Sequence, residues 1–116
     1  MFSFTKADRI LKHSEFVRLS KLGKKIHSRY FIAVFSMGRF ERTRLGITVT
    51  KRTGNSITRN RIKRFIREYF RLNKQNIAGN WDINIIAKKE ASNLSSHQVF
   101  SSLQNIFGQI SRRYYR

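Results

Sequence analysis

The sequence predicts an α+β domain in which one sheet packs against three helices. The chain has 116 residues, a length that fits one domain spanning residues 1–116. Its hydrophobic fraction is 40%, with ten Phe, so the chain can bury a core. The apolar periodicity changes along the chain in the order helix, strands, helix, strand, helix, which is typical of an α+β sandwich.

The first helix is expected over residues 15–22. Ser14 is a residue type that caps helices, and Gly23 is a common stop signal. Helical spacing puts Phe16 and Ser20 on one face of this helix.

Two strand patterns follow the first helix. Residues 24–37 predict one strand that is apolar on both faces, because they include a run of aromatic and β-branched residues. Residues 45–50 alternate between apolar and small or polar residues and predict a second strand. Because the two strands are close in sequence, we expect them to pair antiparallel.

The second half predicts helix, strand and helix. Asn55 or Ser56 opens a helix over residues 57–73, whose apolar side chains recur at i, i+3, i+4, i+7 and i+8. Residues 81–87 alternate as a strand. Ser95 and Gln98 have the spacing of a capping box and start the last helix.

The charge of the chain indicates a polyanionic partner. Lys and Arg total 25 against 6 Asp and Glu, a formal net charge of +19. Nucleic acid is the first candidate, because neutralising phosphates releases counterions and drives binding. No apolar run approaches the ~20 residues of a membrane-spanning helix, and the first residues do not fit a signal peptide. We therefore expect a cytoplasmic protein without a membrane partner.

The composition also excludes several kinds of catalytic site. The absence of cysteine excludes disulfides, thiolate metal sites and cysteine nucleophiles. The six acids are scattered and form no paired-carboxylate motif of the kind that a two-metal nuclease needs. We predict neither a catalytic residue nor a metal ligand on the protein.

The basic segment from Lys51 to Arg71 is the main candidate for a binding surface. Glu68 is its only acid, whereas a solvated helix normally mixes both signs. Like charges four residues apart destabilise a helix, so a partner must offset them. Arginine dominates here, and its planar guanidinium binds phosphate bidentately and stacks on bases.

This segment carries a family resemblance. Residues 46–55 read GITVTKRTGN, and residues 59–64 read RNRIKR. Together they resemble the signature of the bacterial ribonuclease P protein component, and length, charge and the remaining elements agree over the whole chain. The resemblance implies a sheet of about four strands, related to a ribosomal-protein domain. It also implies a left-handed crossover between parallel strands, where general handedness rules favour a right-handed one.

The resemblance also implies a function. The chain would be the protein subunit of an endoribonuclease that removes the 5′ leader from precursor tRNA. A large RNA subunit would carry the catalytic site with Mg²⁺, and one protein would bind each ribonuclease P RNA. The protein would also contact the leader of the precursor tRNA.

Site residues follow from the matched positions. The resemblance implies contact with the catalytic RNA for nine residues: Lys51, Arg52, Asn55, Arg59, Asn60, Arg61, Lys63, Arg64 and Arg67. The leader would cross an aromatic-lined cleft, where Phe16 matches one position. Many members of the family have an aromatic residue at the position of Ser20, and some have one at the position of Val34. Tyr30 and Phe31 are the candidates to compensate for them.

Three other functions remain open at this stage. A ribosomal or other structural RNA-binding protein would share the size, charge and fold, but it has no need of the strand-to-RNRIKR segment. A protein-only nuclease is disfavoured by the missing acid cluster. A membrane-active basic domain is disfavoured because the apolar stripe of the basic helix has other core elements to pack against.

Overall fold

The computed structural model describes residues 4–115, which form a four-stranded sheet with helices on both faces. The α+β class and the three helices are confirmed. In chain order the elements are α1 (His13–Leu22), β1 (Lys24–His27), β2 (Phe31–Met37), β3 (Arg44–Thr48), α2 (Ser56–Asn73), β4 (Trp81–Ala87) and α3 (Ser96–Tyr114).

The strand order in the sheet is β1-β2-β4-β3. β2 pairs antiparallel with β1 and with β4, and β3 pairs parallel with β4. The expected antiparallel pair of β2 and β3 is therefore wrong, because β4 lies between them. β4 suits the central position, since Ile83 and Ile85 are fully buried on one face and Asn84 is nearly buried on the other. α2 makes the crossover from β3 to β4, and its left hand stays a prediction.

Two predicted boundaries also change. The segment expected as one strand over residues 24–37 is a hairpin, β1 and β2. At its turn, the Ser28 hydroxyl accepts a hydrogen bond from the Phe31 amide at 3.1 Å. Helix α1 begins at His13 after Lys12, without a side-chain cap, so the predicted cap at Ser14 is wrong.

Alternation along the strands divides the apolar residues between two cores. The main core lies between the sheet and helices α2 and α3, and Phe31, Ala33 and Phe35 of β2 belong to it. The smaller core lies under α1 and contains Leu19 and Val34. Side chains two residues apart in a strand share a face, so a single strand such as β2 contributes to both cores.

The two long helices start at side-chain caps. The Asn55 side chain accepts a hydrogen bond from the Thr58 amide at 2.9 Å. The Ser95 amide donates to the Gln98 side chain at 2.9 Å, and the Gln98 amide donates to the Ser95 hydroxyl at 3.2 Å. These bonds satisfy amides at a helix end that have no partner within the helix. The predicted capping box is confirmed. Within residues 4–115, no helix is long and apolar enough to cross a membrane.

Candidate RNA-binding surfaces

The outward side of α2 presents three polar side chains in line. Asn60, Arg64 and Arg67 are exposed and follow one another at spacings of four and three residues. This spacing puts them on one side of a helix. The opposite side carries the buried residues Ile62, Ile66, Tyr69 and Phe70.

The turn before α2 extends this basic side. Lys51 and Arg52 are exposed there. Gly54 has a φ of +152°, and a Cβ at this position would lie 2.9 Å from the Thr58 side chain. A glycine at this position therefore lets the backbone turn into helix α2 at the Asn55 cap without a clash. We call the exposed residues Lys51, Arg52, Asn60, Arg64 and Arg67 the α2 surface.

Two other predicted contact residues have roles within the fold, and a third, Arg59, is partly buried. Asn55 is the cap of α2. The Arg61 guanidinium donates a hydrogen bond to the Ser92 carbonyl at 2.6 Å, and the Nε atoms of Arg59 and Arg61 are buried without a hydrogen-bond partner. Arg61 thus ties α2 to the segment between β4 and α3. Variants of Arg61 would test the fold as well as any RNA contact.

No acid in the described part of the chain pairs with a cation of the α2 surface. Glu68, the one acid of the helix, pairs with Arg71 at 2.6 Å. That hydrogen bond holds the pKa of the Glu68 carboxyl below its usual range. Among residues 4–115, no ion pair involves Lys51, Arg52, Arg64 or Arg67. Their charge is available to an anionic partner.

A groove runs between α1 and the sheet, and one end of it reaches α2. Its volume is about 680 Å³. We call it the Phe16 groove. Phe16 and Ser20 of α1 form one wall, while Val34 and Ile86 contribute to the floor. Lys63 of α2 also lines it, so this predicted RNA contact lies beside the α2 surface.

The Phe16 ring stands over a glycine of β3. A Cβ built on Gly46 would lie 2.5 Å from Cε1 of Phe16, much closer than an ordinary contact. Phe16 is half-buried, so part of its ring stays open to the groove. Gly46 therefore lets the ring lie close against the sheet while one side remains accessible.

Other groove residues carry no distinctive local signal. Asn84 is 8% exposed and accepts a hydrogen bond from the Thr48 hydroxyl at 3.1 Å, which forms a polar patch on the floor. His13, His27 and Lys25 also line the groove. The two histidines are far apart in sequence, and only the pairing of β1 with β2 and the position of α1 bring them to one groove.

A buried guanidinium fixes α1 to the sheet beside Phe16. Arg44 of β3 donates two hydrogen bonds to Asp82 of β4, each at 3.0 Å, and one to Glu15 of α1 at 2.8 Å. Asp82 raises the pKa of Arg44, and Arg44 lowers the pKa of Glu15. Because Glu15 precedes Phe16, this cluster sets where the ring lies.

The two compensating aromatics do not lie in the groove. Phe31 is fully buried in the main core, on the opposite face of the sheet, which contradicts its expected contact with the leader. Tyr30 packs against that same core and lines no part of the groove. Ser20 and Val34 do line it, so among the described residues Phe16 is the one Phe, Tyr or Trp in the groove.

No protein metal centre emerges from the described part of the chain. Among residues 4–115, no group of three His, Cys, Asp or Glu residues could hold a metal ion. The ionised acids instead neutralise structural cations, as Asp82 and Glu15 do for Arg44.

Comparison with known proteins identifies the family. A family model described as Ribonuclease P matches residues 4–111. The chain belongs to the ribonuclease P protein family. Ribonuclease P protein components from Desulforapulum autotrophicum and Desulfosudis oleivorans are 48% and 49% identical to it, covering 96% and 97% of this chain and 95% and 93% of theirs.

Solved ribonuclease P proteins share the fold. The Staphylococcus aureus protein has a TM-score of 0.82 at 35% identity, covering 89% of this chain and 94% of that one. The Thermotoga maritima protein has a TM-score of 0.82 at 32% identity, covering 88% and 96%. The chain is thus a protein subunit of ribonuclease P, an enzyme whose catalysis is carried by RNA, and RNA is its partner.

Proposed function

We propose that this ribonuclease P protein uses two surfaces for two RNAs. The α2 surface binds the catalytic RNA, and the Phe16 groove binds the 5′ leader of precursor tRNA. The observation that carries the proposal is their juxtaposition, because Lys63 belongs both to α2 and to the groove wall. A substrate held in the groove would lie next to an RNA bound on α2.

Contact between the α2 surface and RNA rests on charge and geometry. Its four cations have no ion pair among the described residues, and Asn60 adds an amide with both donors and an acceptor. Phosphates would supply the missing counter-charge and release their own counterions. Lys63, and Arg59 and Arg61 through their remaining N–H groups, would extend this contact at the edge of the surface.

Contact between the groove and the leader rests on one aromatic ring and a basic rim. Phe16 offers a partly open face on which a base can stack, and Lys21, Lys25 and Lys63 stand around it for the backbone phosphates. With Ser20 and Val34 in place of further aromatics, we expect one strongly stacked base. Such a groove favours single-stranded RNA without a strong sequence preference.

The chemistry itself belongs to the RNA. We propose that Mg²⁺ is bound by the RNA subunit and that one protein binds each RNA. Precursor tRNA is the substrate, and removal of its leader gives the mature 5′ end. Since bacterial tRNA is made and processed in the cytoplasm, the protein would work there.

The first experiment measures leader cleavage at low Mg²⁺ with the protein alone, a bacterial ribonuclease P RNA alone, and both together. We expect cleavage in the mixture only. Cleavage by the protein alone would contradict the assignment of chemistry to RNA. Tight RNA binding without rescue of cleavage would favour a structural RNA-binding protein instead.

A second experiment tests the α2 surface. The double variant Arg64→Ala with Arg67→Ala should weaken binding to the catalytic RNA. The fall of log affinity with log salt should become less steep by about 1.4 to 1.8, for two lost phosphate contacts. Arg112→Ala is the matched control, because Arg112 is an exposed arginine near the end of α3. An unchanged slope in the double variant would sink this assignment.

A third experiment tests the Phe16 groove. Phe16→Leu keeps an apolar side chain and removes the aromatic face. In the reconstituted enzyme it should weaken precursor tRNA binding by about five-fold or more, as for one stacked base, and leave mature tRNA binding unchanged. Phe100→Leu is the control, since Phe100 is half-buried on α3, away from the groove. Equal losses for both tRNAs would indicate a purely structural role for Phe16.

A further inference from the structure

A second groove lies on the other side of α1, and the function proposed above makes no use of it. Its volume is about 610 Å³. Arg18 and Leu22 of α1 line one side, and Met37, Arg39 and Phe40 from the end of β2 and the following loop line the other. We call it the Phe40 groove. Helix α1 thus separates two grooves on the same face of the sheet.

Phe40 is exposed but fixed in place. Half of its surface is open to solvent, and the Arg44 guanidinium lies 4.3 Å from the ring centroid. Arg44 is itself held by hydrogen bonds to Asp82 and Glu15. The ring therefore rests on a cation that is part of the fold. The ring is not part of a core, so packing does not explain an aromatic residue at this position. A ring that is held in one orientation with an open face can instead serve as a surface on which a base stacks.

The surroundings of Phe40 suit a nucleotide. Leu22 and Met37 are 69% and 67% exposed and add apolar surface beside the ring. Arg18 and Arg39 are exposed on the two sides of the groove, and neither forms an ion pair with a described residue. An aromatic face for the base, with cations for the phosphates, is how proteins bind single-stranded nucleic acid.

We propose that the Phe40 groove is a second RNA-binding site, which takes a nucleotide of single-stranded RNA stacked on Phe40. The RNA is the distal part of the 5′ leader, because only α1 separates the Phe40 groove from the Phe16 groove, in which the leader is proposed to lie. The proposal rests on the proposed function only for the identity of this RNA. A second copy of this chain fits the groove less well, because each copy carries a net charge of +19 and the groove rim adds Arg18 and Arg39 to the repulsion.

The test uses Phe40→Leu, which keeps apolar volume and removes the aromatic face. Tyr115→Leu is the matched control, because Tyr115 is 78% exposed at the far end of α3. We would measure three affinities: the reconstituted enzyme for precursor tRNA with a short leader, the same enzyme with a long leader, and the protein alone for the catalytic RNA. Since Phe40 is half-exposed, the variant should fold, and its thermal midpoint is checked against the parent.

The expected result is a loss of about five-fold or more in the affinity for precursor tRNA with the long leader alone, as for one stacked base. A loss in binding of the catalytic RNA by the protein would overturn the assignment to the leader. The proposal is overturned if Phe40→Leu leaves all three affinities within two-fold of the parent or matches Tyr115→Leu. It is also overturned if the variant only reduces self-association in sedimentation.

Failure of this site and failure of the Phe16 groove give different patterns. If Phe16→Leu leaves short-leader binding intact, the leader assignment of the Phe16 groove fails whatever Phe40→Leu does. If Phe16→Leu weakens short-leader binding while Phe40→Leu changes nothing, only the second site fails. Arg39→Ala provides an independent check. It should lower the same affinity as Phe40→Leu, although it leaves the Phe40 side chain unchanged.

Discussion

Gly46 controls the position of the Phe16 ring, and Gly46→Ala is the sharpest perturbation of that contact. The new methyl group would lie 2.5 Å from Cε1 and 2.9 Å from Cζ of Phe16. An ordinary carbon contact needs about 3.5–4.0 Å, so the ring must move by about 1 Å or more. Overpacking of this kind costs about 1–3 kcal/mol in the free energy of unfolding.

The displaced ring should also lose its alignment in the groove. We expect Gly46→Ala to weaken binding of precursor tRNA by the reconstituted enzyme, with little effect on mature tRNA. Urea unfolding gives the change in stability, and fluorescence titration with the two tRNAs gives the change in affinity. The backbone at residue 46 is not in the left-handed region, so the added methyl group itself is what the variant tests.

Two controls separate crowding of the ring from other effects of the substitution. Gly108→Ala makes the same change on α3, where the nearest other atom is 3.8 Å away, and should stabilise the protein by about 0.4–1 kcal/mol. In a Phe16→Ala background, Gly46→Ala should cost less, because the clash with the ring has gone and only the contact with Asn84 Oδ1 at 3.3 Å remains close. An equal cost in both backgrounds would refute the reasoning.

Three further predictions concern stability measured by urea unfolding. Burial raises the pKa of the Asp8 carboxyl, but hydrogen bonds from Thr5 and Lys74 lower it by more, so its net pKa lies below the usual value. Its contribution is present above about pH 4 and lost as pH falls through the folded-state pKa, so Asp8→Asn should cost about 1–3 kcal/mol at pH 7 and progressively less below pH 4. A constant difference at all pH values would contradict this. Burial raises the pKa of Tyr69 to about 12, so the parent should lose stability relative to Tyr69→Phe between about pH 10 and pH 12. If the stabilities of the two proteins changed in parallel with pH, the raised pKa of Tyr69 would be refuted. Arg44→Met should cost about 2–4 kcal/mol, because it leaves carboxylates on α1 and β4 without their partner, whereas a loss below 1 kcal/mol would show that α1 is held by packing alone.

Local sequence signals predicted the elements of this fold well. The Ser95 and Gln98 capping box and the apolar stripe of α2 act within a few residues, so their patterns can be read directly from the sequence. Strand faces were also predictable. Alternation predicts Leu45, Ile47 and Val49 on the buried side of their strand. Leu45 and Val49 do lie in the main core, and Ile47 is partly buried and packs against it.

Strand partners could not be predicted in the same way. Alternation specifies which face of a strand is buried and says nothing about which strand lies beside it. β4 separates β2 from β3 through contacts between residues nearly 40 positions apart, such as Leu45 opposite Ile83. The turn at Ser28 was missed because neither Gly nor Pro marks it.

The candidate site was predictable to a different degree on each surface. The α2 surface lies within one helix and the turn before it, so its residues follow from the sequence pattern and the family resemblance. The Phe16 groove combines side chains from α1, α2 and every strand. Its floor residue Asn84 and the contact of Phe16 with Gly46 depend on long-range packing. The same limitation explains why Phe31 was expected in the groove. The sequence does not show which face of β2 packs against which helix, so it does not distinguish a ring in the core from an accessible one.

The central position of β4 has a consequence for the newly made chain. β4 begins at Trp81. Until this strand has emerged from the ribosome, β3 has no neighbouring strand and β2 pairs only with β1. A nascent chain that stops before residue 81 would therefore hold α1 and α2 without the Asn84 and Ile86 floor between them. We expect a fragment of residues 1–79 to show no cooperative unfolding transition. During translation, the groove would form only after more than two thirds of the protein has been made.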